Sequence, residues 1–189
     1  MDKEIIMASG NKGKIKEAQE ILNDYNLIPL KELGIDVDVE EDKETFEENA
    51  IKKAMEISKE LDGKMCMADD SGIEIDFLDG FPGVFTKRWH VGTDRERNLE
   101  IIKKLEGVKK ENRKMTFTTA IALAQGDKVI TGVATINGYV AESVRGDNGF
   151  GFDEIFELEN GKTLAELTIE EKNEVSARKK ALEILKSKI

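Results

Sequence analysis

MTFTTAIALAQGDKVITGVATINGYV, residues 115–140, holds two runs crowded with Thr, Val and Ile, split by Gln125-Gly126-Asp127-Lys128. β-Branched side chains suit a pleated surface, and a short polar break containing Gly turns the chain back, so the stretch predicts a long β-hairpin. Upstream the rhythm differs. EIIMAS (4–9) predicts a short buried strand, and after the turn GNKGK, Ile15, Ala18 and Leu22 recur at helical spacing. GIDVDVEE (34–41) alternates apolar and acidic residues, as a strand or extended loop would. Thr45 and Glu48 make a capping box opening a helix with the stripe Phe46, Ala50, Ala54, Ile57 and Leu61, which Asp62-Gly63 ends. MCMADD (65–70) predicts the next strand. Thr93 and Glu96 repeat the capping-box spacing, with Leu99, Ile102 and Leu105 behind them and Gly107 as a stop. RGDNGFGFDEIF (145–156) reads as a Gly-rich loop entering a short strand, and a last helix is expected from about Asn173 to the end. Helices alternating with strands, then a hairpin, predict an α/β protein with a mixed sheet and flanking helices.

At 189 residues, 39% of them hydrophobic, the chain suffices for one domain with a proper core, or two small lobes sharing one. Acidic residues outnumber basic ones 39 to 29, giving a formal charge of −10. That argues against general nucleic-acid binding and against attachment to an anionic membrane. An anionic ligand would need a local cluster of lysines and arginines. The single cysteine, Cys66, and single histidine, His90, rule out a Cys/His metal cluster, and the lone thiol fits a reducing, cytoplasmic setting. No signal peptide and no membrane-spanning run is evident.

Four segments carry residues suited to chemistry. SGNKGK, Ser9 to Lys14, places a glycine-containing turn and two lysines at a helix start, a setting that suits phosphate. It is shorter than a Walker A motif and lacks that motif's Ser/Thr. ADDSG (68–72) ends an apolar run in two adjacent carboxylates. Successive strand side chains point to opposite faces, so Asp69 and Asp70 cannot share one pocket if the strand persists through them. With no imidazole partner near Ser71 beyond His90, carboxylate plus Mg²⁺ is the economical chemistry, with Glu40 and Glu41 as candidate second ligands. Arg178 falls inside the apolar stripe of the last helix, Val175, Leu182, Leu185 and Ile189. It either snorkels to an acidic mate or recognises a carbonyl or phosphate oxygen, with Lys172 nearby. In GFGFD, Gly149 to Asp153, the two phenylalanines are either core plugs or a surface for stacking a base.

In this order, SGNKGK, TFEENAIKKA (45–54), ADDSG, DGFPG (79–83), GFGFDEIF (149–156) and GKTLAELTIEEKNEVSARKKAL (161–182) resemble the inosine triphosphate pyrophosphatase family. Its members are hydrolases of non-standard purine nucleoside triphosphates. The resemblance covers nearly the whole chain. It implies one pyrophosphatase domain over residues 1–189, an elongated mixed sheet in two lobes around a central substrate cleft, and a cytoplasmic homodimer. It implies Mg²⁺-dependent attack of water at the α-phosphorus of ITP, dITP or XTP, yielding the monophosphate and pyrophosphate. By position, Asp70 would be the catalytic carboxylate and a metal ligand, with Glu41 the second metal contact. Ser9, Gly10, Asn11, Lys12, Gly13, Lys14 and Lys53 would hold the triphosphate, and Ser71 and Lys87 would touch substrate. Phe150, Gly151, Phe152 and Asp153 would sandwich and read the base, with Lys172, Ala177 and Arg178 completing the pocket. Asp69 would be a structural partner. Where the family usually has Ser-His-Arg, this chain has Ser176-Ala177-Arg178. That departure bears on purine discrimination rather than phosphate chemistry. The alternative is a nucleotide-binding protein, non-catalytic or of relaxed specificity, that retains the pocket.

Overall fold

The computed structural model describes residues 3–35, 37 and 39–189. Among these residues the strands form a six-stranded sheet in the order β2-β1-β3-β4-β5-β6. They are β1 (Lys3–Met7), β2 (Tyr25–Pro29), β3 (Cys66–Ile75), β4 (Lys114–Gln125), β5 (Lys128–Val140) and β6 (Phe156–Glu157). β1 runs parallel to both β2 and β3, whereas β6 pairs antiparallel with β5, so the sheet is mixed as expected. The predicted hairpin is β4 and β5, joined at Gly126-Asp127. Five α-helices occur among the described residues: α1 (Lys12–Ile21), α2 (Phe46–Glu60), α3 (Asp94–Lys104), α4 (Ile169–Val175) and α5 (Ala177–Lys186). None is long and apolar enough to cross a membrane.

The chain divides into two compact units. The first comprises residues 1–71, 119–134 and 177–189, and the second 72–118 and 135–176. In the first unit, alternation along β1 and β3 sends neighbouring residues to opposite faces of the sheet. Ile5, Met7 and Met67 join Ala18 and Leu22 around α1 and Ala181, Leu182 and Leu185 of α5. Ile6 and Cys66 join Leu30, Val39 and Ile57 of α2. A sheet covered on both faces explains why these strands are nearly continuous apolar runs. At Gly132 a Cβ would lie 2.1 Å from the Ala181 carbonyl oxygen, so α5 can approach β5 only over a glycine. In the second unit Arg113 is buried and donates to the carbonyls of Leu105 (2.9 Å), Val140 (2.8 Å) and Ala141 (2.8 Å), tying helix end to strand end.

Four local expectations need correction. β2 was not foreseen: its five residues, YNLIP, are too short and too mixed to show a period. β3 runs on through Asp69, Asp70, Ser71 and Gly72 to Ile75 instead of ending at the acidic pair. On α3 the buried stripe is Asn98, Ile101 and Leu105, while Leu99 is 47% exposed. The last helix is two: α4 ends at Val175, the next residue Ser176 has an extended ψ of 122°, and α5 starts afresh at Ala177. Asp36 and Asp38, within the 34–41 segment, lie outside the described residues.

Candidate active site

Residues of the first unit build a polar cluster around the continuing strand β3. Because the strand persists, Asp69 and Asp70 diverge into different surroundings. Asp69 is buried, and its Oδ2 accepts from Lys14 Nζ (2.7 Å) and Arg178 NH1 (2.9 Å). Arg178 is itself buried, donates through NH2 to Ser71 Oγ (3.1 Å), and its Nε lies 3.7 Å from Glu17 Oε2. Burial alone would raise the Asp69 carboxyl's proton affinity, but the charges of Arg178 and Lys14 hold it far below the usual carboxylate range. The arginine on the apolar stripe therefore has acidic mates, Asp69 above all.

Asp70 is the opposite case. Its Oδ2 accepts from Asn49 Nδ2 (3.0 Å) and its Oδ1 from the Ser71 backbone N–H (2.9 Å). Burial and then the nearby Glu41 carboxylate push its pKa up, against the pull of Asn49, Lys53 and the Ser71 N–H. Glu41 in turn forms an ion pair with Lys53. Asn49, fully buried on α2, also accepts from the Lys43 backbone N–H (2.9 Å) and so fixes the approach of the 41–43 segment. Asn49 was not singled out from sequence, although a polar residue between Phe46 and Ala50 on the buried face was the available signal.

The SGNKGK turn begins α1 as expected. Asn11 is its N-cap, accepting from the N–H groups of Gly13 (2.9 Å) and Lys14 (3.3 Å), and Ser9 Oγ accepts from the Asn11 N–H (3.2 Å). Two of the helix-start donors thus serve the cap, and the Lys14 ammonium serves Asp69. Lys12 stays exposed in the first turn. Ser9, Gly10 and Lys53 border an open cavity of about 340 Å³ floored by Leu30, Val39 and Ile57. Ala177 is 2% exposed at the start of α5.

The second unit contains the other cluster. Phe150 is 53% exposed, whereas Phe152 is buried, so the two aromatics of GFGFD divide between surface and core. The Lys172 ammonium sits 5.0 Å from the Phe150 ring centroid and donates to Asp153 Oδ2 (2.6 Å). The same oxygen accepts from the Phe150 N–H (2.9 Å). Gly149, with φ +84°, makes room for this: a Cβ there would meet Asp153 Oδ2 at 2.1 Å. Asp153 thus folds back to shape its own loop. Gly151 is held through both its N–H and its C=O by side chains of α3. Lys87 is exposed on the turn after Gly83–Phe85.

The donor set around Asp70 suits a hard divalent cation: two carboxylates, one with proton affinity raised by burial and then by the charge of the other. No group of three or more His, Cys, Asp or Glu residues assembles as a ready cage among the described residues. A cation here would complete its shell with water and ligand oxygens, which is the habit of Mg²⁺.

The chain is similar to known proteins over nearly its whole length. A dITP/XTP pyrophosphatase of Clostridium perfringens (strain 13 / Type A) is 43% identical, covering 99% of this chain and 97% of that protein. One of Bacillus subtilis (strain 168) is 43% identical, covering 97% and 95%. Among solved structures, a HAM1 protein from Coxiella burnetii superposes with a TM-score of 0.89 at 38% identity, covering 99% of this chain and 98% of that one. The Staphylococcus aureus Ham1 protein gives 0.89 at 37%, covering 98% and 97%. The model of the Ham1 family matches residues 5–188, and the chain belongs to that family.

Proposed function

We propose that this protein is a nucleoside triphosphate pyrophosphatase that hydrolyses non-standard purine nucleotides, ITP, dITP and XTP, to the monophosphate and pyrophosphate. What carries the reading is the Asp70 cluster, on a chain 43% identical over nearly its whole length to a dITP/XTP pyrophosphatase. Residues 1–189 would work as one pyrophosphatase domain, cytoplasmic and homodimeric.

Asp70 and Glu41 would hold Mg²⁺, which when bound neutralises phosphate oxygens and lowers the pKa of water. Asn49 and the Ser71 N–H each occupy one oxygen of Asp70, which locks the carboxylate's orientation and leaves a lone pair on each oxygen. So oriented, Asp70 would accept the proton of the attacking water. That water's oxygen bonds to the α-phosphorus as the bond to the α–β bridging oxygen breaks, and the electron pair leaves with pyrophosphate. Lys53, paired with Glu41 here, would turn to the incoming polyphosphate once Glu41 has a cation. Ser9, Gly10 and the exposed Lys12 would add donors and charge to the same end. Lys14 and Arg178 act through Asp69, anchoring the strand that presents Asp70.

The exposed ring of Phe150 would stack on the base, a contact available to any purine. Selection against adenine would come from donors facing the 6-oxo group, because an amino group there leaves a buried donor unpaired. Asp70→Asn tests the assignment. It keeps the Asn49 and Ser71 environment but removes the charge, so nucleotide binding should persist while turnover falls by about 100-fold or more. Turnover near wild type would remove Asp70 from this role.

A further inference from the structure

Helix α3 is an unusual helix in what it buries. Asn98 is fully buried, on the same stripe as Ile101 and Leu105, where a leucine would pack without cost. Its Oδ1 has no hydrogen-bond partner among the described residues. A buried polar group left half-satisfied is expensive, so its other half should matter. That half is Nδ2, which donates to the Gly151 carbonyl (2.9 Å) and to Glu154 Oε2 (3.2 Å). One turn earlier, Asp94 Oδ2 accepts from the Gly151 N–H (3.0 Å). Both faces of one residue's backbone are therefore gripped from the same helix. Arg97 pairs with the other oxygen of Asp94 and donates to the Gly92 carbonyl (2.8 Å), which fixes the Asp94 carboxylate. Arg95 holds Glu154 Oε1 (3.0 Å). The gripped residue has φ +66°, and it follows Phe150 directly.

We infer that Asp94 and Asn98 are positioning residues for base selection: by clamping Gly151 they hold the exposed Phe150 ring in one orientation. The inference rests on the reading of Phe150 as the base-stacking residue. Neither side chain is asked to touch substrate. With the Gly151 N–H and C=O both engaged, that residue contributes to the base site through the shape it imposes. A loop released from α3 would still fold against Asp153 and Lys172, but Phe150 would sample several orientations. The stacked base would then meet the donors that select it in several orientations, and purines would be told apart less well.

The test uses the full-length protein and near-isosteric variants. Asn98→Asp keeps shape but turns the donor facing the Gly151 carbonyl into an acceptor, and Asn98→Leu fills the site without a polar atom. In both, kcat/KM for ITP should fall about ten-fold, mainly through KM, the size expected for one buried hydrogen bond to a positioned group. The ITP-to-GTP preference should shrink several-fold. Inhibition by inorganic tripolyphosphate, which has no base, should stay within about two-fold of wild type. Asp94→Asn, which retains an acceptor for the Gly151 N–H, should keep the preference that Asp94→Ala loses. Exchange of the Gly151 amide should quicken in Asn98→Asp. An unchanged preference in both Asn98 variants would overturn the inference. So would tripolyphosphate inhibition weakening in parallel with KM, since that marks a general disturbance. If wild type cleaves no nucleoside triphosphate, the proposed function itself fails, and the role of the clamp in base selection falls with it.

Discussion

Replacing Arg178 with leucine isolates what the buried Asp69 cluster contributes. At 2.9 Å from Asp69 Oδ2, with both side chains under a tenth exposed, the guanidinium's attraction is about 6 kcal/mol at an effective dielectric constant near 20. Desolvation of both ions offsets part of that, and breaking such a pair costs about 3–5 kcal/mol when the partner is left charged. Lys14 remains on Asp69 in the variant, which places the expected loss near the lower end, about 3 kcal/mol. For a chain of this size that is a fall in Tm of roughly 6–12 °C. The pH dependence is the sharper reading. Asp69 has a depressed pKa in the folded state, so its stabilising contribution is present above the ordinary carboxylate pKa near 4 and is lost as pH falls through the folded value. Without Arg178 the Asp69 carboxyl protonates more readily, so the gap between wild type and variant should hold near neutrality and narrow once pH falls below the ordinary carboxylate pKa near 4. Urea unfolding at several pH values measures this directly. A gap under 1 kcal/mol at pH 7, or one that stays constant down to pH 3, would mean that Arg178 does not hold the Asp69 charge in this way.

Phe150→Ala should leave stability within about 0.5 kcal/mol, because the ring is half exposed, while raising KM for nucleotides about 10-fold, the loss of one base–aromatic stack. Gly149→Ala must place a Cβ against the Asp153 carboxylate at a φ of +84°, so it should cost more activity than Phe150→Ala and lower Tm as well. Burial pushes the Cys66 thiol up to about 11, so it should react with thiol reagents at pH 7.5 only at the rate of unfolding; prompt labelling of native protein would contradict that burial. Sedimentation should give a mass twice 21.1 kDa if the protein is the proposed homodimer, and a monomer would remove that part of the proposal.

Sequence pattern sufficed wherever the local signal and the tertiary outcome coincide. The hairpin, the Thr45 helix start and the stripe of α2 follow from period and capping alone. The separation of Asp69 from Asp70 was foreseeable from the strand's period of two, given only that the strand continued. What could not be read was which neighbours each aspartate meets, since Lys14, Asn49 and Arg178 come from three distant segments. α3 shows a different limit. Leu99 and Ile102 make as regular a spacing as Ile101 and Leu105, and only packing against the 151–154 loop selects the face that contains Asn98. The break at Ser176 also has no sequence signature, since neither Gly nor Pro stands there. Phe150 and Phe152 look alike in sequence, yet one is buried and the other available to a ligand.

The most direct measurement is of products formed from ITP, XTP, GTP and ATP at equal low concentration, with Mg²⁺ and with chelator. ITP and XTP should give monophosphate and pyrophosphate, metal-dependent, with GTP and ATP largely spared. Release of orthophosphate instead of pyrophosphate, or no cleavage of ITP or XTP with metal present, would contradict the proposed function.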